Sequence, residues 1–237
     1  MKKRIRFIIP VATDQWNEIT RQELVAVAAP DTELEIVSLS AGPVAIECEY
    51  EAMLAAPLVV EEVRKAEVEG ALGAVVDCCC DPGVYAAKEV VKIPVMGIME
   101  AALSVAGAVA NRYGILNPTS RDFSLTWKMV STFHPSRLVS IQGIDMPVLE
   151  LANKDKMWEN ARDVAWRMVK EDQAEAIVLG CGAMLGLEKH LQQELGIPVI
   201  SPSIAGLKMV ELLISMRISH SKLSYPEPIY NEVIGGK

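Results

Sequence analysis

Three of the chain's five cysteines are consecutive: in "VVDCCCDPG", residues 75–83, a β-branched apolar run ends in Cys78, Cys79 and Cys80 and leads into Asp81-Pro82-Gly83. A fourth, Cys181, closes a second such run, "AEAIVLGC", 103 residues after Cys78. A carboxylate residue followed by proline is a helix-start signature, and a helical pattern opens at Leu187, so each thiol is expected ahead of a helix. There the positive end of the dipole and unused backbone N–H groups favour the thiolate. Thiols poised near neutral pH can accept and donate protons. If the two face each other across a cleft, one thiolate can remove a proton from a carbon and the opposing thiol can return one to the other face. That inverts the centre without a cofactor, with the N–H groups after each cysteine holding the enolate oxygen.

The cysteine run itself invites other chemistries. Adjacent cysteines point in divergent directions and no Cys-x-x-Cys or histidine spacing accompanies them, so no metal or iron–sulfur site is expected. An adjacent pair rarely closes as a disulfide without strain, which argues against a redox role. One of Cys79 and Cys80 is expected in the core and the other on the pocket wall. Cys48 lies in a helical pattern and reads as structural. Asp81 reads as a helix cap, with orientation of the Cys78 loop as the alternative, Glu47 as a solvated helix start, with a place facing the cleft as the alternative, and His134, His190 and His220 as surface residues.

What positions the thiols is an alternation of short β-branched runs with longer helical patterns, which predicts α/β architecture with parallel strands. The predicted strands are 4–9, 33–38, 73–78 and 93–98, then 112–116, 137–142, 174–180 and 197–201. The two sets overlay. Pro94 and Pro198, in "IPVMG" and "IPVIS", stand 104 residues apart, close to the spacing of Cys78 and Cys181. The reading is two pseudo-symmetric, doubly wound (Rossmann-like) half-domains, each with a mostly four-stranded parallel sheet and the active site in the cleft between them. The first would comprise 1–100 plus 205–237, and the second 101–204. Helices are predicted over 14–28, carrying Trp16, Ile19 and Val27 toward the core, and over 156–170, carrying Trp158, Ala161, Ala165 and Met168. Pro57 is expected to split 46–69 into two helical pieces.

Lys+Arg 23 against Asp+Glu 31 leaves a net charge of −8 with no basic cluster, so nucleic acid is excluded as a partner. The opening "MKKRIRFIIP" is too short in apolar residues for a signal peptide, and no apolar run is long enough to span a bilayer. The expected setting is the cytoplasm, with no membrane partner and the cysteines kept as thiols. The tail from Ser224, with two prolines, reads as an extended arm or subunit contact of a homo-oligomer.

The ordered phrases "SLSAGPVAIECEYEAMLAAP" (38–57), "CCCDPG" (78–83), "IPVMGIMEAAL" (93–103), "DMPVLEL" (145–151) and "EAIVLGCGAMLGL" (175–187) resemble the Asp/Glu/hydantoin racemase superfamily, most closely its hydantoin and allantoin racemase branch. The branch carries a Cys-x-x-Asp-Pro-Gly signature, which aligns on Cys78. The resemblance implies Cys78 and Cys181 as catalytic residues, a small-molecule substrate and no cofactor. It also implies substrate-binding loops at Thr13, Ala45 and Ile46, Cys79 and Cys80, Asn117, Thr119 and Ser120, and Gly182 and Ala183. Two of these loops depart from the branch: "IIPVAT" replaces an Ile-Asn-Pro-Asn-Thr type opening, and Asn117-Pro118-Thr119-Ser120 stands where many members have Thr-Thr. Cys181 also lacks the following threonine of the aspartate and glutamate branches.

The expected reaction is two-base proton transfer at Cα of a 5-substituted hydantoin or related amino-acid derivative. A neutral ring needs no arginine clamp, and these loops contain neither Arg nor Lys except Arg121 at the edge. The enzymatic alternatives are an amino-acid racemase and a superfamily decarboxylase or cis–trans isomerase. A two-lobed small-molecule binding protein is the non-enzymatic one, and it leaves the duplicated thiol without a purpose.

Overall fold

The β-branched runs form strands in two separate, all-parallel sheets of a computed structural model that describes residues 2–133 and 135–229. β1 (Lys3–Ile9), β2 (Thr32–Ser38), β3 (Gly73–Val76) and β4 (Val95–Gly97) make one sheet in the order β2-β1-β3-β4. β5 (Tyr113–Asn117), β6 (Leu138–Gly143), β7 (Ala176–Leu179) and β8 (Val199–Ile200) make the other in the order β6-β5-β7-β8. The two orders are the same, so the repeat seen in the sequence is a repeat of topology. β3, β4, β5, β7 and β8 are buried along their whole length, as strands covered by helices on both faces must be.

Seven α-helices among the described residues connect the strands, α1 (Asn17–Val25), α2 (Glu49–Val68), α3 (Val84–Val90), α4 (Ile98–Val109), α5 (Phe123–Val130), α6 (Lys154–Lys170) and α7 (Leu187–Leu195), and α8 (Pro202–Met216) follows the last strand. α4 leads from the first sheet to the second, and α8 returns to pack on β3 and β4. None is long and apolar enough to cross a membrane.

Three local expectations need correction. Pro57 does not split its helix: α2 runs unbroken through it. Ala52, Ala55, Val59, Val63 and Ala66 bury one stripe against the sheet, while Pro57 and Met53 face solvent, so the carbonyl deprived of its N–H partner can be hydrated. Second, α1 is shorter than predicted, because a turn closed by Asn17 N–H on Asp14 O occupies its first residues and leaves Trp16 at the N-cap. Third, Asp81 does not cap the helix that follows it. Gly83 holds the α3 N-cap with φ +72°, a conformation glycine adopts without strain. The Asp81 carboxylate turns instead to α4, accepting the N–H groups of Met99 (3.1 Å) and Glu100 (2.9 Å).

The C-terminal segment crosses back over the first half. His220 Nε2 accepts the Val95 N–H at 2.8 Å, and Lys222 Nζ donates to the carbonyls of Lys88, Glu89 and Val91 at the end of α3. His220 is therefore half-buried and structural rather than a surface residue. His190 is exposed, its ring edge-on to Trp158, and His134 lies outside the described residues.

Candidate active site

Each thiol that could move a proton sits two residues past the third strand of its own sheet. Cys78 follows β3, which ends at Val76, and Cys181 follows β7, which ends at Leu179. These strands occupy equivalent places in the two sheets, and ligands of open parallel sheets bind at such carboxyl ends. Both cysteines line one cavity of about 50 Å3 with Ile9, Pro10, Val11, Trp16, Ile46 and Val148. A second cavity of about 30 Å3, lined in part by Cys79, Cys80, Pro118 and Thr126, adjoins the same two thiols.

All five cysteines are thiols. Cys181 is the N-cap of a 3-10 turn, Gly182–Met184, that precedes α7. Cys78 lies in a turn closed by Asp81 N–H on its carbonyl. The N–H groups of Cys79, Cys80, Gly182 and Ala183 donate no backbone hydrogen bond among the described residues. Turn starts leave such donors unused, and here they lie beside the thiols, where a developing oxyanion could take them up.

The two extra cysteines behave differently from the pair. Cys79 is buried in the core, its Sγ contacting Leu179 O at 3.9 Å across the half-domain boundary. Burial and the neighbouring Cys181 and Cys78 push its thiol well up. A hydrogen bond with Cys78, then burial, does the same for Cys80, which lines the second cavity. Both therefore stay protonated near neutral pH and are unsuited to be bases. Cys48, by contrast, is exposed at the α2 N-cap and is not a core residue.

The structure brings Cys78, Cys79, Cys80, Ile46, Cys181, Gly182 and Ala183 together around these cavities. Thr13, Ala45, Asn117, Thr119 and Ser120 are not among the lining residues of either. Thr13 accepts the Gln15 N–H, and Ser120 Oγ donates to Asp145. Asn117 is buried, donating to Thr126, while its Oδ1 and the Thr119 hydroxyl have no partner among the described residues. The wall there is made by Pro118 and Thr126 instead.

Four contributors to the site were not read from the sequence. Trp16 is a core residue, as its helical spacing predicts, and it also lines the cavity from the α1 N-cap. Glu47 is not the solvated helix start its local context favours: its Oε1 accepts the Val148 N–H at 2.7 Å, bridging a loop of the first half to one of the second. Lys154 Nζ donates to Ala183 O (3.1 Å) and Leu185 O (3.4 Å), holding the loop after Cys181. Burial lowers its pKa, and the proximity of Cys181 opposes that.

The fourth is Asp77, a carboxylate at the cavity wall directly before Cys78. It is buried and accepts a hydrogen bond from Ser203 Oγ at 2.6 Å. Burial pushes its pKa up to about 7, against the pull of that hydrogen bond. A signal was present: a carboxylate interrupting the apolar run "AVVDC" at a strand's carboxyl end is an expensive residue to bury without purpose.

Among the described residues no group of three or more His, Cys, Asp or Glu could hold a metal ion. The chain matches the Asp/Glu/hydantoin racemase family model over residues 5–210. It is 34% identical to a hydantoin racemase of Pseudomonas sp. strain NS671, covering 98% of this chain and 94% of that one. An allantoin racemase structure from Klebsiella pneumoniae superposes with TM-score 0.93 at 36% identity, covering 98% and 96% of the two chains. One from Pseudomonas fluorescens does so with TM-score 0.92 at 29% identity, covering 98% and 100%.

Proposed function

The chain belongs to the Asp/Glu/hydantoin racemase family and is by kind an isomerase, and from that premise we propose that it racemises 5-substituted hydantoins through Cys78 and Cys181. The observation that carries this reading is the placement of one thiol after each of two equivalent strands, both lining one cavity. One sulfur, as thiolate, takes the C5 proton. The other, as thiol, delivers a proton to the opposite face, so the two exchange protonation states in each inversion. Between the steps, the negative charge on the C4 oxygen of the planar enolate is met by the unused N–H groups beside the cysteines.

Three features support a neutral ring over an α-amino acid. No Lys or Arg lines either cavity to pair with a carboxylate. Asp77, which does line the first, is ionised above about pH 7 and there opposes a second negative charge. The hydrogen at C5 of a hydantoin, between a carbonyl and a nitrogen, is also more acidic than the α-hydrogen of an amino-acid anion. The named relatives act on hydantoins and on allantoin, which is itself a 5-substituted hydantoin.

The test is incubation of single hydantoin enantiomers in deuterated water, following optical rotation and deuterium at C5. Racemisation with one deuterium incorporated per inversion is expected. Cys78→Ser and Cys181→Ser should each lower racemisation by at least a thousandfold, any residual deuterium exchange being confined to a single enantiomer. Undiminished turnover in both variants would remove the two-thiol mechanism, and exchange at Cα of aspartate or glutamate alone would move the substrate to the amino-acid branch.

A further inference from the structure

We infer that Asp77 is a substrate-recognition residue: its carboxylate accepts the ring N–H adjacent to the carbon undergoing inversion. This rests on the hydantoin reading above and adds to it a contact that neither cysteine can make.

The argument starts from position. Asp77 precedes Cys78 in the chain, and its carboxyl lies against Gly182, the residue after Cys181. A Cβ at Gly182 would stand 2.6 Å from Asp77 Oδ1, so the glycine makes room for the carboxyl group. One acidic side chain thus touches the cavity between the backbones that carry the two thiols. Asp77 lines the same cavity as both sulfurs, so it is the acidic group a ring seated between them meets.

An ionised carboxylate has two oxygens and about four lone-pair sites. Among the described residues, the only hydrogen bond to the Asp77 side chain comes from Ser203 Oγ to Oδ1. The rest of the group faces a cavity walled largely by apolar residues: Ile9, Pro10, Val11, Ile46 and Val148. A buried, incompletely partnered carboxylate is costly, which is why its proton is held up to about pH 7. A ligand that supplies an N–H donor relieves that cost, whereas one that supplies a carboxylate increases it. A hydantoin offers an N–H directly beside C5. The backbone N–H groups past the cysteines are donors and cannot bind it, so the two kinds of group divide the ring: donors to its carbonyl, Asp77 to its N–H.

Unsubstituted hydantoin is achiral and undergoes no net reaction, so binding can be read apart from turnover. Calorimetric titration of the full chain with hydantoin, 1-methylhydantoin and 3-methylhydantoin at pH 8 separates the two ring nitrogens. The 1-methyl compound, which lacks the N–H beside C5, should bind at least tenfold more weakly than hydantoin, and the 3-methyl compound within about threefold, as expected for a hydrogen bond to a charged group. In Asp77→Ala, which also opens space for the methyl group, hydantoin should weaken by at least tenfold and the difference between hydantoin and 1-methylhydantoin should fall below twofold. Equal binding of all three ligands by the unaltered protein overturns the proposal without any variant, should Asp77→Ala fail to fold. So does a loss confined to 3-methylhydantoin, or an equal loss for every ligand in Asp77→Ala, which would mark a structural role. Deuterium exchange at C5 with no discrimination at N1 leaves the racemase reading standing and removes Asp77 from it. N1-dependent binding with no exchange does the reverse.

Discussion

The Asp77 carboxyl occupies the space a Cβ on Gly182 would need, so the residue before one cavity thiol packs against the residue after the other. The contact joins the two halves at the cavity wall, which both residues line. Gly182→Ala should drive a Cβ into that carboxyl and cost about 1–3 kcal/mol as overpacking, read as a lower thermal midpoint. Combining it with Asp77→Ala, which removes the obstructing atoms, should recover most of the loss. Additive losses in a double-mutant cycle would show that the contact is not what excludes a side chain there.

Glu47 Oε1 accepts the Val148 N–H and so ties the loops that carry the cavity-lining residues Ile46 and Val148, forming a roof in that sense only. Cavities of about 50 and 30 Å3 hold only a few waters, so the loops carrying Ile46 and Val148 must part to admit a ring. Glu47→Ala should speed hydrogen exchange at Val148 and raise KM with a smaller effect on kcat. Unchanged exchange at Val148 would show that the roof is held elsewhere.

Behind the Cys78 loop, Lys88 Nζ lies 2.6 Å from both carboxylate oxygens of Glu100, and both side chains are buried. Glu100 also accepts the Gly97 N–H at the start of α4, whose first-turn N–H groups at Met99 and Glu100 are accepted by Asp81. Lys88→Met leaves Glu100 charged and unpaired, and should cost about 3–5 kcal/mol in denaturant unfolding. Lys88→Met with Glu100→Leu should be closer to the unaltered protein than Lys88→Met alone. A double variant less stable than the single one would overturn this account.

His220 sets a pH limit on the C-terminal crossing. Burial and the nearby Lys88 depress its pKa from 6.5 to about 4, and its Nε2 accepts the Val95 N–H only while unprotonated. A histidine with a depressed folded pKa contributes stability that is full above 6.5 and is lost as pH falls toward about 4. Protease cleavage within 218–229 should therefore accelerate between pH 7.5 and pH 4.5, and His220→Gln, which keeps an acceptor without a titrating group, should remove that dependence. Equal cleavage rates at the two pH values would rule the histidine out as the cause.

Local patterning made much of this protein legible. Buried strands read as continuous β-branched runs, and all eight predicted runs form strands whose ends shift by at most two residues. Because the pattern repeats, the equivalence of Cys78 and Cys181 could be read before any coordinate. Helix boundaries were less legible: Pro57 breaks a helix by local rules, but burial of the opposite face holds α2 together.

Contacts between distant segments were the part that sequence did not carry. Asp81 looked like a cap for the helix beside it in the chain, and only the tertiary fold shows α4 receiving its carboxylate. Glu47 looked solvated until the second half supplied the Val148 N–H, and Asp77 looked like the end of a strand until α8 brought Ser203 and β7 brought Gly182 against it. The sequence by itself determined the strands, their repeat and the two thiols, because periodicity and turn chemistry act over a few residues. The tertiary structure decided which polar groups surround those thiols, because the desolvation and hydrogen bonding of a side chain depend on what the rest of the chain packs around it.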